Sequence, residues 1–354
     1  MLFDTDGIGG GKYSKRVEKF LEDEFFPNSK VYLTTSGTTA LEMAAILGDF
    51  DYGDEIIMPS YTFPSTANAF VREGCRPVYV DVRLDTFNLH EKLIEDAITP
   101  LTKAIVPVHY AGVGCNMDII CQIAKRHNLL VIEDAAQCFD SYYKDRSLGS
   151  IGDIGVLSFH GTKNIGCGEG GAIIINNDKV KERAEIILNK GTDRNKMLRG
   201  EVDKYSWVDV GSSFLISDYL AAILHYRLSN YYTYTSIRQT RYDKYYEFFI
   251  DNNLTEYVLL PTIPSYAYSN KHIFYVLVRN HRMRDLILEK LNLVGIKATT
   301  HYYPLHMSKY GKQFATKYLP VTEHINSAMI RFPLDEDVTN EMLNKIKNIL
   351  TEVC

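Results

Sequence analysis

Short apolar, β-branched runs alternate with helix-period segments through the first two-thirds of the chain. This alternation constrains the fold more than any other feature. The runs fall at 31–35, 55–59, 76–82, 104–109, 129–133, 155–159 and 171–176, and helical patterns lie at 39–47, 65–72, 89–98, 117–127 and 180–189. Several runs (AIVPVHY, LLVIEDA, GAIIIN) are continuously apolar, as expected of parallel strands covered on both faces. The βαβ rhythm predicts a layered α/β domain built on a mostly parallel, seven-stranded sheet.

The last two runs are joined by a glycine-rich stretch, HGTKNIGCGEGG, instead of a helix. A long tyrosine-rich helical pattern over 217–251 reads as a connecting helix. Beyond it, a strand at 274–278, a helix at 283–294, a short strand at 297–300 and a helix at 340–351 suggest a small α+β domain. The expected division is 1–250 and 251–354, and 354 residues suit two domains at about 150 each. No internal repeat or flexible linker interrupts the pattern.

Composition removes several classes. With 45% hydrophobic and 23% charged residues the chain can build a core without disulfide or metal staples. The net charge of −5 excludes a generally basic nucleic-acid binder. The cysteines at 75, 115, 121, 138, 167 and 354 form no CxxC pair, so they read as reduced thiols of a cytosolic protein, with no metal site expected. The start, MLFDTDGIGGGK, lacks the apolar region of a signal peptide, and no window approaches the ~18 apolar residues of a membrane span.

GIGGGKYS fails the phosphate-loop spacing, since Tyr13 stands where a hydroxyl residue is needed, and it reads as a flexible arm. Gly166-Cys167-Gly168-Glu169-Gly170-Gly171 fits GxGxxG, but it precedes a strand, so the dinucleotide reading is rejected. Its glycines more plausibly let the backbone pass something flat. Gly37, Thr38 and Thr39 follow a strand and open a helix, which makes either a plain N-cap or an anion cradle. Asp134 ends a parallel strand, where α/β sheets bind ligands, and could pair with a cationic ring nitrogen. Gln137 lies one turn on and could reach a ring oxygen. Lys163 follows Ser158 inside the glycine-rich excursion. A cradle, a strand-end acid and a loop lysine in this order make up a pyridoxal 5′-phosphate site. The lysine is the amine that holds the cofactor, and the acid keeps the ring an electron sink.

These residues resemble the DegT/DnrJ/EryC1/StrS family of nucleotide-sugar aminotransferases, which are fold-type-I pyridoxal-phosphate enzymes. The likeness runs from about Val31 to the C-terminus through SGTTALEMAA, GDEIIMPSYTFPSTANA, PVYVDVRLDTFNL, AIVPVHYAGVGCNMD, VIEDAAQCF, GDIGVLSFHGTKN, GEGGAI and HYYPLH. Within the family, KGTDRNKMLRGEVDKYSWVDVGSSFLISD looks most like the 4-aminotransferases that act on dTDP-4-keto-6-deoxyglucose, of the enterobacterial-common-antigen type.

The resemblance implies roles. Lys163 would be the Schiff-base lysine, Asp134 the partner of the pyridinium nitrogen and Gln137 that of the ring 3′-oxygen. Ser158 with Gly37, Thr38 and Thr39 would hold the phosphate, and Phe63 would stack on the ring. Many members carry GxNxRM and lend its asparagine across a homodimer; here Ser213 replaces that Asn and Leu215 the Arg. Arg194, Lys204, Tyr205, Trp207, His301 and Tyr302 would lie near the sugar nucleotide, although each also reads as packing or a loop residue. Members usually carry, ahead of the point where this sequence starts, a proline-containing segment and a helix; either the lineage is shortened or the start is misplaced.

The implied reaction moves an amino group from L-glutamate to a nucleotide-linked 4-keto-6-deoxyhexose for surface-glycan synthesis. It passes through pyridoxamine phosphate and needs no metal. Amination at C3 of a 3-keto sugar, or a pyridoxal-phosphate-binding member without turnover, stays open at this point.

Overall fold

The computed structural model describes residues 9–354, so most of the leader reading at the extreme N-terminus lies outside the described residues. In chain order the elements are α1 (Lys12–Glu24), β1 (Lys30–Thr34), α2 (Gly37–Leu47), β2 (Glu55–Pro59), α3 (Pro64–Arg72), β3 (Arg76–Val80), β4 (Thr102–Ile105), α4 (Met117–His127), β5 (Leu130–Asp134), β6 (Tyr142–Tyr143), β7 (Arg146–Ser147), β8 (Ile154–Ser158) and β9 (Gly171–Ile175). They continue with α5 (Lys181–Leu188), α6 (Arg194–Leu198), α7 (Asp218–Leu228), α8 (Tyr231–Asp251), β10 (Ala267–Tyr268), β11 (Phe274–Leu277), α9 (His281–Leu293), α10 (Pro320–Ala328), β12 (Met329–Phe332) and α11 (Asn340–Val353).

The seven expected strands form one sheet in the order β1-β9-β8-β5-β4-β2-β3. From β8 to β3 the neighbours are parallel, while β9 runs antiparallel to both β8 and β1. Alternate residues of each strand enter opposite cores, as period-two geometry requires. Ile57, Ile105, Val131, Leu157 and Ile174 pack on one face, and Ile56, Ala104, Ile132, Val156 and Ile173 on the other. Burial on both faces accounts for the continuous apolar runs.

A third core joins β11, α9, β12 and α11 to Tyr242, Tyr245 and Phe249 of α8. Asp81 fastens this C-terminal part to the sheet: its carboxylate accepts bonds from the amides of Val321 and Thr322 at 3.0 and 2.8 Å and from the Thr322 hydroxyl at 2.7 Å.

Four local expectations need correction. The arm at GIGGGKYS turns into a helix at Lys12, with Tyr13, Val17 and Leu21 buried along one stripe. Asp218 caps that helix by accepting from the Ser14 amide at 2.8 Å, a partner too distant in sequence to foresee. The 89–98 segment forms two 3₁₀ turns, Glu91–Leu93 and Glu95–Ala97, and no α-helix. Pro100 disfavours helical geometry at Thr99, and Arg83 pairs with Glu91 at 3.0 Å. The connecting helix breaks at Ser229 and Asn230, whose side chains donate back to the carbonyls of His225 and Tyr226 at 2.8 and 2.9 Å. The 297–300 strand shrinks to a single bridge between Thr299 and Arg331.

Candidate active site

The carboxyl ends of β5 and β8 and the β1–α2 turn open onto a cavity of about 560 Å³. Its lining includes Gly37, Thr38, Phe63, Asp134, Gln137, Ser158, Lys163, His301 and Tyr302. Residues spread across the sequence therefore converge on one space.

The cradle and the N-cap are the same structure. Ser36 caps α2 by accepting from the Thr39 amide at 3.1 Å, and the Ser36 amide donates to Thr39 Oγ1 at 3.0 Å. This reciprocal pair consumes the Thr39 hydroxyl, and Thr39 does not line the cavity. Thr38 does, with its hydroxyl 2.7 Å from that of Ser65. Gly37 must lack a side chain, because a Cβ there would lie 2.9 Å from Ser158 Cβ. The first amides of α2 thus face the cavity beside two hydroxyls.

Strand alternation chooses between the two acids of IED. Glu133 points into the protein and accepts from the amides of Gly149, Ile151 and Gly152 at 3.0, 2.6 and 2.7 Å. His109 Nε2 also meets it, at 2.9 Å. His109 Nδ1 accepts from the Cys115 amide at 3.0 Å, so the Nε2 proton is the one donated to Glu133. Asp134 faces the cavity, where its carboxylate accepts from Thr66 Oγ1 at 2.7 Å and from the Ala136 amide at 3.2 Å. Gln137 accepts from the Ala111 amide at 2.7 Å and donates to the Tyr302 hydroxyl at 2.7 Å, which leaves one amide hydrogen.

Lys163 sits in the excursion between β8 and β9. That loop is tied by Gly161 N to Gly168 O at 2.8 Å and Lys163 N to His160 O at 2.9 Å. Its glycines make room for the chain itself rather than for a flat ligand. A Cβ on Gly166 would lie 2.4 Å from the His160 carbonyl, and Gly168 has φ +96°. Burial pulls the Lys163 ammonium below its ordinary pKa; Asp134 and Cys138 oppose the shift and Arg331 adds to it. A buried amine that sheds its proton easily is suited to nucleophilic and proton-transfer work.

The C-terminal wall carries His301 and Tyr302, stacked with ring centroids 3.8 Å apart. His301 Nδ1 lies 2.7 Å from the Tyr110 hydroxyl, and burial lowers its pKa to about 3. Phe63 is half exposed at the mouth, 6.2 Å from the Tyr302 ring. His272, Arg331, Thr66 and His160 also line the cavity. None of the four was singled out in the sequence: His160 shares the excursion with Lys163, Thr66 stands on α3 three residues after Phe63, and the ends of β11 and β12 bring in His272 and Arg331.

The remaining expected residues stand apart from this cavity. Ser213 is exposed and bridges Asn189. Arg194 is exposed on α6, and Lys204, Tyr205 and Trp207 lie on an open excursion. The Trp207 ring, 79% exposed, donates from Nε1 to the Asp209 carbonyl at 2.6 Å.

The donor set fits pyridoxal phosphate. Helix amides with Thr38 and Ser158 suit the phosphate, Asp134 a ring nitrogen, and Lys163 the aldehyde. No group of His, Cys, Asp and Glu among the described residues could hold a metal ion, and no helix there is long and apolar enough to cross a membrane.

Comparison with known proteins agrees. The profile of the DegT/DnrJ/EryC1/StrS aminotransferase family matches residues 3–351. An uncharacterised protein of Methanocaldococcus jannaschii is 33% identical, with 98% of this chain and 92% of that protein covered. The GDP-perosamine synthase of Caulobacter vibrioides is 32% identical over 99% of this chain and 92% of its own length. In fold, the chain is similar to a putative sugar aminotransferase of Streptococcus pneumoniae in its pyridoxal-phosphate form. The TM-score is 0.89 at 24% identity, with 99% of this chain and 94% of that one covered.

Proposed function

Because the chain belongs to the DegT/DnrJ/EryC1/StrS aminotransferase family, whose members are pyridoxal-phosphate-dependent sugar aminotransferases, we propose that it carries an amino group from L-glutamate to the keto carbon of a nucleotide-linked 4-keto-6-deoxyhexose, with dTDP-4-keto-6-deoxyglucose as first choice. The observation that carries this reading is the convergence of Lys163, Asp134 and the Gly37–Thr38 turn on one cavity. When bound, the cofactor supplies an aldehyde for the incoming amine and a ring that accepts the electron pair released at the substrate carbon.

The chain's own groups do the rest. Thr38, Ser158 and the α2 amides hold the phosphate, and Gln137 has one amide hydrogen to offer the ring oxygen. Asp134, fixed by Thr66 and Ala136, presents a carboxylate that holds a proton on the ring nitrogen by a charge-assisted bond. Lys163 Nζ, eased toward its neutral form by burial, takes the proton from the substrate carbon and returns it as general base and acid. Ser213, Arg194, Lys204, Tyr205 and Trp207 lie outside the single-chain cavity. In this proposal they serve a site shared between two copies of the chain, in a cytoplasmic homodimer.

The dTDP choice is supported by the KGTDRNKML stretch. A GDP-linked sugar is the second reading, favoured by the likeness to GDP-perosamine synthase. Incubation with glutamate and a dTDP-linked 4-keto-, a GDP-linked 4-keto- or a dTDP-linked 3-keto-6-deoxyhexose, each followed by NMR, tests these readings. A new amine at C4 of the dTDP sugar is expected. Amination of the GDP sugar alone would overturn the nucleotide, and an amine at C3 of a 3-keto sugar would overturn the position.

A further inference from the structure

The C-terminal wall holds one group that the proposed chemistry leaves unused. Arg331 lies on β12 between Ile330 and Phe332, both buried in the C-terminal core, so strand alternation turns its side chain the other way, onto the cavity. Among the described residues its guanidinium makes no ion pair. Nearby arginines are paired: Arg238 with Asp335 at 3.3 Å and Arg241 with Asp337 at 2.8 Å. The carboxylates of the cavity are engaged elsewhere, Asp134 by Thr66 and Ala136, Asp335 by Arg238, and Glu169 by His160 at 3.5 Å.

The imidazoles on this wall carry no charge to share the task. Asn164 donates its Nδ2 to the Asn270 carbonyl at 2.9 Å, which fixes its Oδ1 toward His272 Nδ1 at 2.7 Å. A carbonyl oxygen only accepts, so the Nδ1 proton is placed and His272 Nε2 is left bare. Burial and the surrounding cations keep both His272 and His301 well below the ordinary histidine pKa. Arg331 is therefore the one permanent cation of this wall without a counter-ion among the described residues. Arg331 is half-buried at the cavity wall, and the planar fork of a guanidinium without a partner matches a carboxylate.

The reacting carbon of an amino donor carries the amine and the α-carboxylate together. A group that grips that carboxylate must share a small cavity with Lys163, as Arg331 does. In a nucleotide sugar, by contrast, the sugar ring separates the keto carbon from the phosphates. We infer that Arg331 is the anchor for the α-carboxylate of the amino donor. The inference rests on the transaminase reading.

The test is a pair of titrations on the pyridoxal form, one with L-glutamate read by cofactor absorbance and one with 2-oxoglutarate read by calorimetry. A third arm adds nucleotide keto sugar to the pyridoxamine form. Arg331→Gln should raise half-saturation by both carboxylates about 30-fold or more, the weight of a charge-assisted pair, and leave the sugar arm within about threefold. Arg331→Lys should recover part of the loss, because it keeps the charge without the fork. Unchanged titrations in the Gln variant would overturn the inference, and so would a loss confined to the sugar arm. If glutamate leaves the wild type unbleached, the donor reading fails instead. The same wild-type and variant comparison with other amino acids, which share the α-carboxylate, then still decides the role of Arg331.

Discussion

The cavity wall built by the sheet and the excursion from Arg194 to Val210 were both read in the sequence as parts of one site, yet the structure treats them differently. Gly37 opens the helix after β1, Asp134 and Ser158 end strands and Lys163 lies in the loop that joins two strands, and they meet around one space. Lys204, Tyr205 and Trp207 lie on an open segment with side chains turned to solvent. Rigid strand ends fix a side chain by local geometry alone, whereas a long excursion takes its place from whatever packs on it. The first region should therefore work as a unit of the single chain, and the second should matter only through a partner copy.

The largest effect expected is in the first region. Lys163→Ala should cut turnover by a factor on the order of 10⁴ or more while the protein still binds cofactor. Turnover within tenfold of wild type would break the assignment. Asp134→Asn keeps shape and loses charge, and kcat should drop by a factor on the order of 10², about 2.7 kcal/mol of barrier. Near-normal turnover would leave Asp134 as a helix-side cap.

The second region should respond more weakly and selectively. Lys204→Ala should raise KM for the nucleotide sugar about tenfold and spare the glutamate half-reaction, because only the sugar nucleotide brings a pyrophosphate. Equal loss in both half-reactions would make Lys204 a support of fold or assembly. A folded, active monomer in sedimentation at assay concentration would sever the excursion from the site altogether.

The remaining effect is on stability against pH and not on turnover. His301 is held at a pKa of about 3, against about 6.5 when unfolded. Between those values the unfolded chain binds the proton and the folded one does not. This contribution is whole above about pH 6.5 and is lost as pH falls toward 3. Denaturant titrations across that window should show a shallower slope in His301→Gln, and an unchanged slope would show that another group carries it.

The same contrast explains what the sequence disclosed. The seven strands, the Ser36–Thr39 turn, Asp134 and Lys163 were legible because period, capping chemistry and strand-end position are local signals. Helix α1 was hidden because its anchor, Asp218, lies 204 residues from Ser14. His272 and Arg331 were hidden because nothing within a few residues of them marks a ligand; the pairing of β11 with β12 delivers them. Thr66 lay in a stretch already noted, but its bond to Asp134 spans 68 residues and shows only in the fold. Thr39 was overread, since a helix cap and an anion cradle use the same residue types and only the geometry shows which hydroxyl is spent.

The account stands on Lys163 being the amine that takes the cofactor. Borohydride reduction of the cofactor-loaded protein, followed by peptide mapping, measures this directly. The tag should fall on Lys163 alone, and a tag on any other lysine would contradict the account.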